Sequence, residues 1–179
     1  EGTSVTAASL ARVLALSGHR VVLVGGDLRS PSAVGAPGAP GLAEVLVGTA
    51  RLSQVLVEGE VPGLELLPAG DMPGNPSELL GGRNMSDLLH HLAADRIVII
   101  DAPPVCRFTD AVVLAEYAGG VLLVARAGRT SAEELREAAL AVGQGGGHML
   151  GVVLTNVSDL GRGSRSAQTA VTHAESATV

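Results

Sequence analysis

The chain has 179 residues, 46% of them apolar and 17% charged, with a formal net charge of −6. That length supports one core of ordinary size, and the acidic balance argues against a nucleic-acid groove, so no nucleic-acid partner is expected. All twelve basic residues are arginine and the only aromatics are Phe108 and Tyr117, which removes lysine chemistry altogether and leaves no stacking platform for single-stranded nucleic acid.

Residues 4–17 carry apolar side chains at helical spacing, stopped by Ser17-Gly18. Val21-Val22-Leu23-Val24 is a continuous apolar run of the buried-strand type, followed by the loop Gly25-Gly26-Asp27-Leu28-Arg29-Ser30-Pro31. Residues 32–41, rich in Pro, Gly and Ala, read as irregular. Gly41 to Gly48 and Leu52 to Val57 read as two short helical pieces, and Leu64-Glu65-Leu66-Leu67 as a strand ended by Pro68-Ala69-Gly70. After a turn-rich loop at 71–76, a helix is expected over Ser77 to Ala94, with Gly81-Gly82 as the place where it would break. Ile97-Val98-Ile99-Ile100 is the clearest buried strand, with Asp101 at its carboxyl end and an extended exit enforced by Pro103-Pro104. Thr109 is expected to cap a helix over Asp110 to Tyr117, and Thr130 to cap one over 131–142. Val121 to Val124 and Leu150 to Leu154 complete the strands. From Ser158 the periodicity stops, so residues 1–157 read as one domain and 158–179 as a disordered tail.

Apolar strand runs alternating with helices define an α/β chain with a mostly parallel sheet and helices on both faces. In such sheets ligands bind beyond the carboxyl ends of the strands. Four unusual loops begin at those ends, at 25–31, 68–76, 101–107 and 125–130. At the start of the chain, Glu1-Gly2-Thr3-Ser4 runs into the first helix as a phosphate-binding loop would: backbone amides and the helix start for phosphate, and the Ser4 hydroxyl for magnesium. The same residues also read as a plain N-cap by Thr3 or Ser4. Asp101 reads either as the second acid that holds magnesium or as a polar strand terminus, and Asp27 with Arg29 either as site residues or as a turn aspartate beside a solvated arginine. Cys106 stands alone, which permits no intrachain disulfide and suits a reducing compartment. No run approaches the roughly 18 apolar residues of a membrane span, and no signal peptide is read.

Taken together, these motifs make residues 1 to about 157 resemble the ATP-binding domain of bacterial tyrosine kinases of capsule and exopolysaccharide assembly, the BY-kinases, within the deviant-Walker P-loop ATPases. The matching segments are Glu1-Gly2-Thr3-Ser4, Gly25-Gly26-Asp27-Leu28-Arg29-Ser30-Pro31, Asp101-Ala102-Pro103-Pro104 with Asp110-Ala111 downstream, Val124 to Thr130 and Gly151 to Asn156. The run Gly70-Asp71-Met72-Pro73-Gly74-Asn75-Pro76-Ser77-Glu78-Leu79-Leu80 matches the kinase branch rather than the positioning ATPases. The resemblance implies a P-loop NTPase-like fold. It implies ATP held by Gly2, Thr3, Ser4, Val5 and Arg29, with Asn156 at the adenine, and Mg2+ held by Ser4, Asp27 and Asp101. Asp27 and Asp101 would serve catalysis. It further implies a membrane polysaccharide co-polymerase subunit as partner or upstream fusion, self-association, and a cytoplasmic position at the inner face of the membrane.

The departures from the pattern carry their own expectations. Thr3 stands where the loop lysine would be, Gly25 where the first acid of the second motif would be, and Tyr117 is the only tyrosine. Arg29, Arg126 and Arg129 are the cations left to replace the lysine. The strand that precedes the phosphate loop in the family is not found, so unpaired sheet edges are expected and the sequence reads as the truncation of a longer reading frame. Losing a preorganised stabiliser of transition-state charge commonly costs about 10²–10³ in rate, so phosphoryl transfer is expected to be impaired. The rival readings are a non-catalytic scaffold or regulatory pseudokinase, and a Par/Min-type positioning ATPase.

Overall fold

The computed structural model of the chain describes residues 2–30, 34–36 and 38–157; the tail expected at 158–179 lies outside them. In chain order the elements are α1 (Thr3–Leu16), β1 (Val21–Gly25), α2 (Leu42–Val47), α3 (Leu52–Val55), β2 (Val57–Glu58), β3 (Leu64–Leu67), α4 (Pro76–Leu80), α5 (Arg83–Ala93), β4 (Ile97–Asp101), α6 (Asp110–Tyr117), β5 (Val121–Arg126), α7 (Ala132–Gln144) and β6 (Met149–Thr155).

β1 explains why the apolar run of the sequence is continuous. All five of its residues are buried, and alternate side chains enter different cores. Val22 and Val24 pack with Leu42 and Leu46 of α2, Leu80 of α4, Met85 and Leu92 of α5 and Leu114 of α6. Val21 and Leu23 pack on the other face with Ala11 and Ala15 of α1. Burial of each such side chain contributes about 1.5–3 kcal/mol, so the strand is held from both faces, as in parallel α/β sheets. A third, smaller core gathers Ala115 of α6, Leu123 of β5, and Ala138 and Val142 of α7.

The strands form two ladders. The first has the order β2-β3-β1-β4 and the second joins β5 to β6. β1 runs parallel to both β3 and β4, and β5 parallel to β6. Among the described residues β4 is laddered on one side only. On β6, Leu150, Val152 and Leu154 remain 61%, 48% and 55% exposed, so that strand is covered on one face alone.

Several local expectations are corrected. The second short helix ends at Val55 because Leu56 is extended; Val57–Glu58 instead pairs antiparallel with β3. The helix expected over 77–94 does break at Gly81-Gly82, as the sequence allowed, with Gly82 extended between α4 and α5. Thr109 takes helical dihedrals itself and makes no side-chain cap. The cap of α7 is Ser131 rather than Thr130: Ser131 Oγ accepts from Glu134 N (3.1 Å) and Glu134 Oε2 accepts from Ser131 N (2.8 Å). Thr130 Oγ1 accepts from Arg126 N instead (2.9 Å).

Candidate functional site

Because β1, β3 and β4 are parallel and in register, their carboxyl ends form one edge: Val24 pairs with Leu67 and Ile100, and Gly25 with Asp101. The loops at 26–30, 68–75 and 102–109 leave from it. α1 begins at the same edge. Its Ser4 hydroxyl lies close enough to act on the Asp101 carboxyl, while Gly2 packs on the Thr155 side chain at the end of β6, where an added Cβ would lie 3.4 Å from Cγ2. The N-terminus of α1 therefore bridges the carboxyl ends of the two ladders.

Gly2 takes φ 95° as the N-cap of α1, a left-handed conformation that favours glycine. No side chain caps the helix, so the plain N-cap by Thr3 or Ser4 is not what the fold uses. The first helical bond is Thr6 N to Gly2 O (2.9 Å). The amides of Thr3, Ser4 and Val5 precede it and have no intrahelical acceptor. With the positive end of the helix dipole behind them, they suit an anion such as a phosphate. Thr3 is half-buried at this end and carries no charge.

Asp101 is 3% exposed. Burial pushes its carboxyl above the usual range; the Ser4 hydroxyl works against this, and the nearby Asp27 charge works with it. Asp27 holds its carboxylate on its own loop, where Oδ1 accepts from Arg29 N (3.0 Å) and Ser30 N (3.2 Å). Two carboxylates and a hydroxyl, all hard oxygen donors, fit a magnesium ion that keeps most of its waters. Among the described residues no cluster of three or more His, Cys, Asp or Glu side chains stands together, so a thiolate or imidazole metal centre does not fit.

From the loop after β1, the Arg29 side chain reaches across to α6 and α4. Its Nε donates to Asp110 Oδ2 (2.5 Å), and its Nη2 to Asp110 Oδ1 (3.2 Å) and Ser77 Oγ (3.2 Å). Ser77 also donates to Asp110, and the guanidinium lies 4.7 Å from the centre of the Phe108 ring. Asp110 is fully buried, and its hydrogen bond from Arg29 holds its carboxyl below the usual range. Asp110, Ser77 and Phe108 went unassigned from the sequence. The trace they left was an acid at the first position of a mostly apolar helix. A second tie was equally hidden: Glu44 accepts from Gly41 N (2.6 Å) and Asp71 N (3.1 Å), fastening the start of α2 to the loop after β3.

Asn156 follows Thr155 at the end of β6 and has φ 55°, the one non-glycine residue with positive φ among the described residues. Arg126 closes β5 opposite Thr155, and Arg129 is exposed in the turn beyond it. The structure thus brings Gly2, Thr3, Ser4 and Val5 together with Asp101, with Asp27 near enough to act on the Asp101 charge. It sets Asn156 next to the residue that touches Gly2, and it turns the Arg29 side chain toward Asp110.

No protein-family model matches the chain. It is similar to the tyrosine-protein kinase Ptk of Acinetobacter johnsonii, 35% identical over 160 residues that cover 87% of this chain and 22% of that protein. It is similar to the tyrosine-protein kinase CpsD of Streptococcus agalactiae serotype Ia, 33% identical over 164 residues that cover 89% of this chain and 71% of that protein. It superposes on the kinase domain of the Escherichia coli tyrosine kinase ETK with a TM-score of 0.80 at 31% identity, covering 88% of this chain and 65% of that one. The chain spans 19% to 22% of the length of the longer curated relatives that it matches.

Proposed function

The chain belongs to the bacterial tyrosine-protein kinase family, and from that premise we propose that it is a nucleotide-binding domain serving capsule or exopolysaccharide assembly, with phosphoryl transfer impaired by its own substitutions. The observation that carries this reading is the join at the start of α1. The Ser4 hydroxyl acts on buried Asp101 at the uncapped start of α1, where the first amides have no helical acceptor, yet the residue before Ser4 is the uncharged Thr3. The amides of Thr3, Ser4 and Val5, with Gly2, would hold the phosphates of ATP, and Asn156 would lie at the adenine. Ser4, Asp27 and Asp101 would hold Mg2+, with the two acids as the catalytic pair. When bound, magnesium supplies charge neutralisation of the phosphate oxygens. The protein's share is to orient that ion and to keep Asp101 desolvated.

On this reading residues 1–157 form the domain and 158–179 a tail. The domain would work at the inner face of the membrane through a co-polymerase subunit, as a separate chain or a fused segment, and would self-associate. Thr3 and Gly25 favour a second reading, in which the fold persists as a non-catalytic scaffold or regulatory pseudokinase. Titration with a nucleotide analogue and magnesium separates the two. Saturable micromolar binding together with tyrosine phosphorylation of a substrate supports the kinase and sinks the scaffold; silence at millimolar nucleotide does the reverse. The double substitution Thr3→Lys with Gly25→Asp is expected to raise affinity and transfer rate.

A further inference from the structure

The loop leaving β1 is anchored at successive residues. Gly26 N donates to Asp101 O (2.8 Å), which extends the β1–β4 pairing by one step. A Cβ at Gly26 would lie 2.7 Å from Ile100 Cγ2, so a larger residue would push the loop off β4. Leu28 is 2% exposed within the main core. Asp27 lies between these two anchors, and its carboxylate is held by the amide of Arg29. The Arg29 side chain then spans to α6 and α4 through Asp110 and Ser77, under the Phe108 ring. One residue thus joins the site acid to a fully buried counter-charge: its amide on one side, its guanidinium on the other. An arginine fork bonded to both oxygens of a carboxylate fixes direction as well as distance, which a lysine would not.

Resting on the assignment of Asp27 and Asp101 to the magnesium side of a nucleotide, we propose that Arg29 is a positioning residue. Clamped to Asp110 and Ser77, it holds the Asp27 turn against the end of β4 and so sets magnesium-dependent nucleotide affinity without touching the nucleotide. With the clamp released, the Arg29 amide is no longer fixed and Asp27 loses its orientation. Asp101 keeps its place, because β4 pairing with β1 holds it independently of the Arg29 side chain. Outer partners that orient a metal ligand typically account for about 10- to 100-fold in metal affinity.

The test is a double-mutant cycle on the full chain. A fluorescent ADP analogue is titrated with and without magnesium for the unsubstituted protein, Arg29→Gln, Asp27→Asn and the double variant. Arg29→Gln is expected to weaken magnesium-dependent binding about 10- to 100-fold and to leave magnesium-free binding unchanged. In the Asp27→Asn background it should add nothing, because the clamp acts through Asp27. Equal losses in both backgrounds, or an equal loss without magnesium, would overturn the proposal in favour of direct nucleotide contact or a general folding role. Arg29→Lys should recover part of the affinity, and no recovery in a folded Lys variant counts against the clamp. Should the unsubstituted chain bind no magnesium nucleotide, the functional reading falls and the affinity claim with it. Hydrogen exchange then decides the clamp alone. Asp110→Asn must speed exchange at the amides of Arg29 and Ser30 while those of α5 stay protected, and unchanged exchange there overturns it.

Discussion

Asp101 and Asp110 are the two charged residues buried in the described core, and the fold treats them in opposite ways. Asp110 has a guanidinium on both oxygens and a hydroxyl from Ser77, so its charge is balanced inside the protein and its carboxyl is held low by Arg29. Asp101 has the neutral hydroxyl of Ser4 and the repulsion of Asp27, so burial pushes its carboxyl up. The Asp110 region is complete as folded. In the Asp101 region burial disfavours the charged form, as it commonly does at sites tuned for a ligand. The loop from Gly26 to Ser30 joins the two.

The comparison breaks most visibly at Asp110. Asp110→Ala leaves the Arg29 guanidinium without its counter-charge. Removing one partner of a buried pair costs about 3–5 kcal/mol; since the Arg29 side chain is 31% exposed, the lower end is expected by urea unfolding. Asp101→Asn should move stability the other way. It relieves a desolvated charge while keeping an acceptor for Ser4, so a gain of about 0.5–2 kcal/mol is expected in magnesium-free buffer, with loss of any magnesium-dependent nucleotide binding.

The pH dependence sharpens the same contrast. Asp110, with its folded pKa lowered, contributes stability that is full above its unfolded pKa and lost as the pH falls through the lower folded value. Asp101, with its folded pKa raised, makes stability fall as the pH rises from its unfolded pKa to the folded one. Stability followed against pH should therefore lose its acid-side rise in Asp110→Asn and its later decline in Asp101→Asn. The smallest effect tests the caps, away from both acids. Ser131→Ala removes one half of a capping box and should cost about 1 kcal/mol in thermal unfolding. Thr109→Ala removes no side-chain cap and should cost less.

Much of the fold was legible because its evidence is local. Apolar runs bounded by turn residues gave β1, β3 and β4, and the Gly2-to-Ala11 stretch gave the helix whose start lies beside Asp101. What misled were positions where neighbouring residues offered the same chemistry. Thr130 and Ser131 are both capping types, and only the extended backbone of Ser131 decides which one caps. Leu56 and Val57 continue a helical pattern, but pairing with β3 draws Val57 into an edge strand. The partner of the Arg29 side chain was not legible, because nothing near it in sequence reveals a buried acid on α6.

By itself the sequence determined the α/β alternation, the edge of the sheet where the loops collect, and a phosphate-type loop without lysine. These follow from periodicity, from glycine and proline placement, and from which atoms a side chain carries. The tertiary structure alone decided which charges meet. Whether an aspartate is stabilised or penalised depends on what lies within a few ångströms of its oxygens, and those neighbours come from distant segments: Ser4 to Asp101, Arg29 to Asp110.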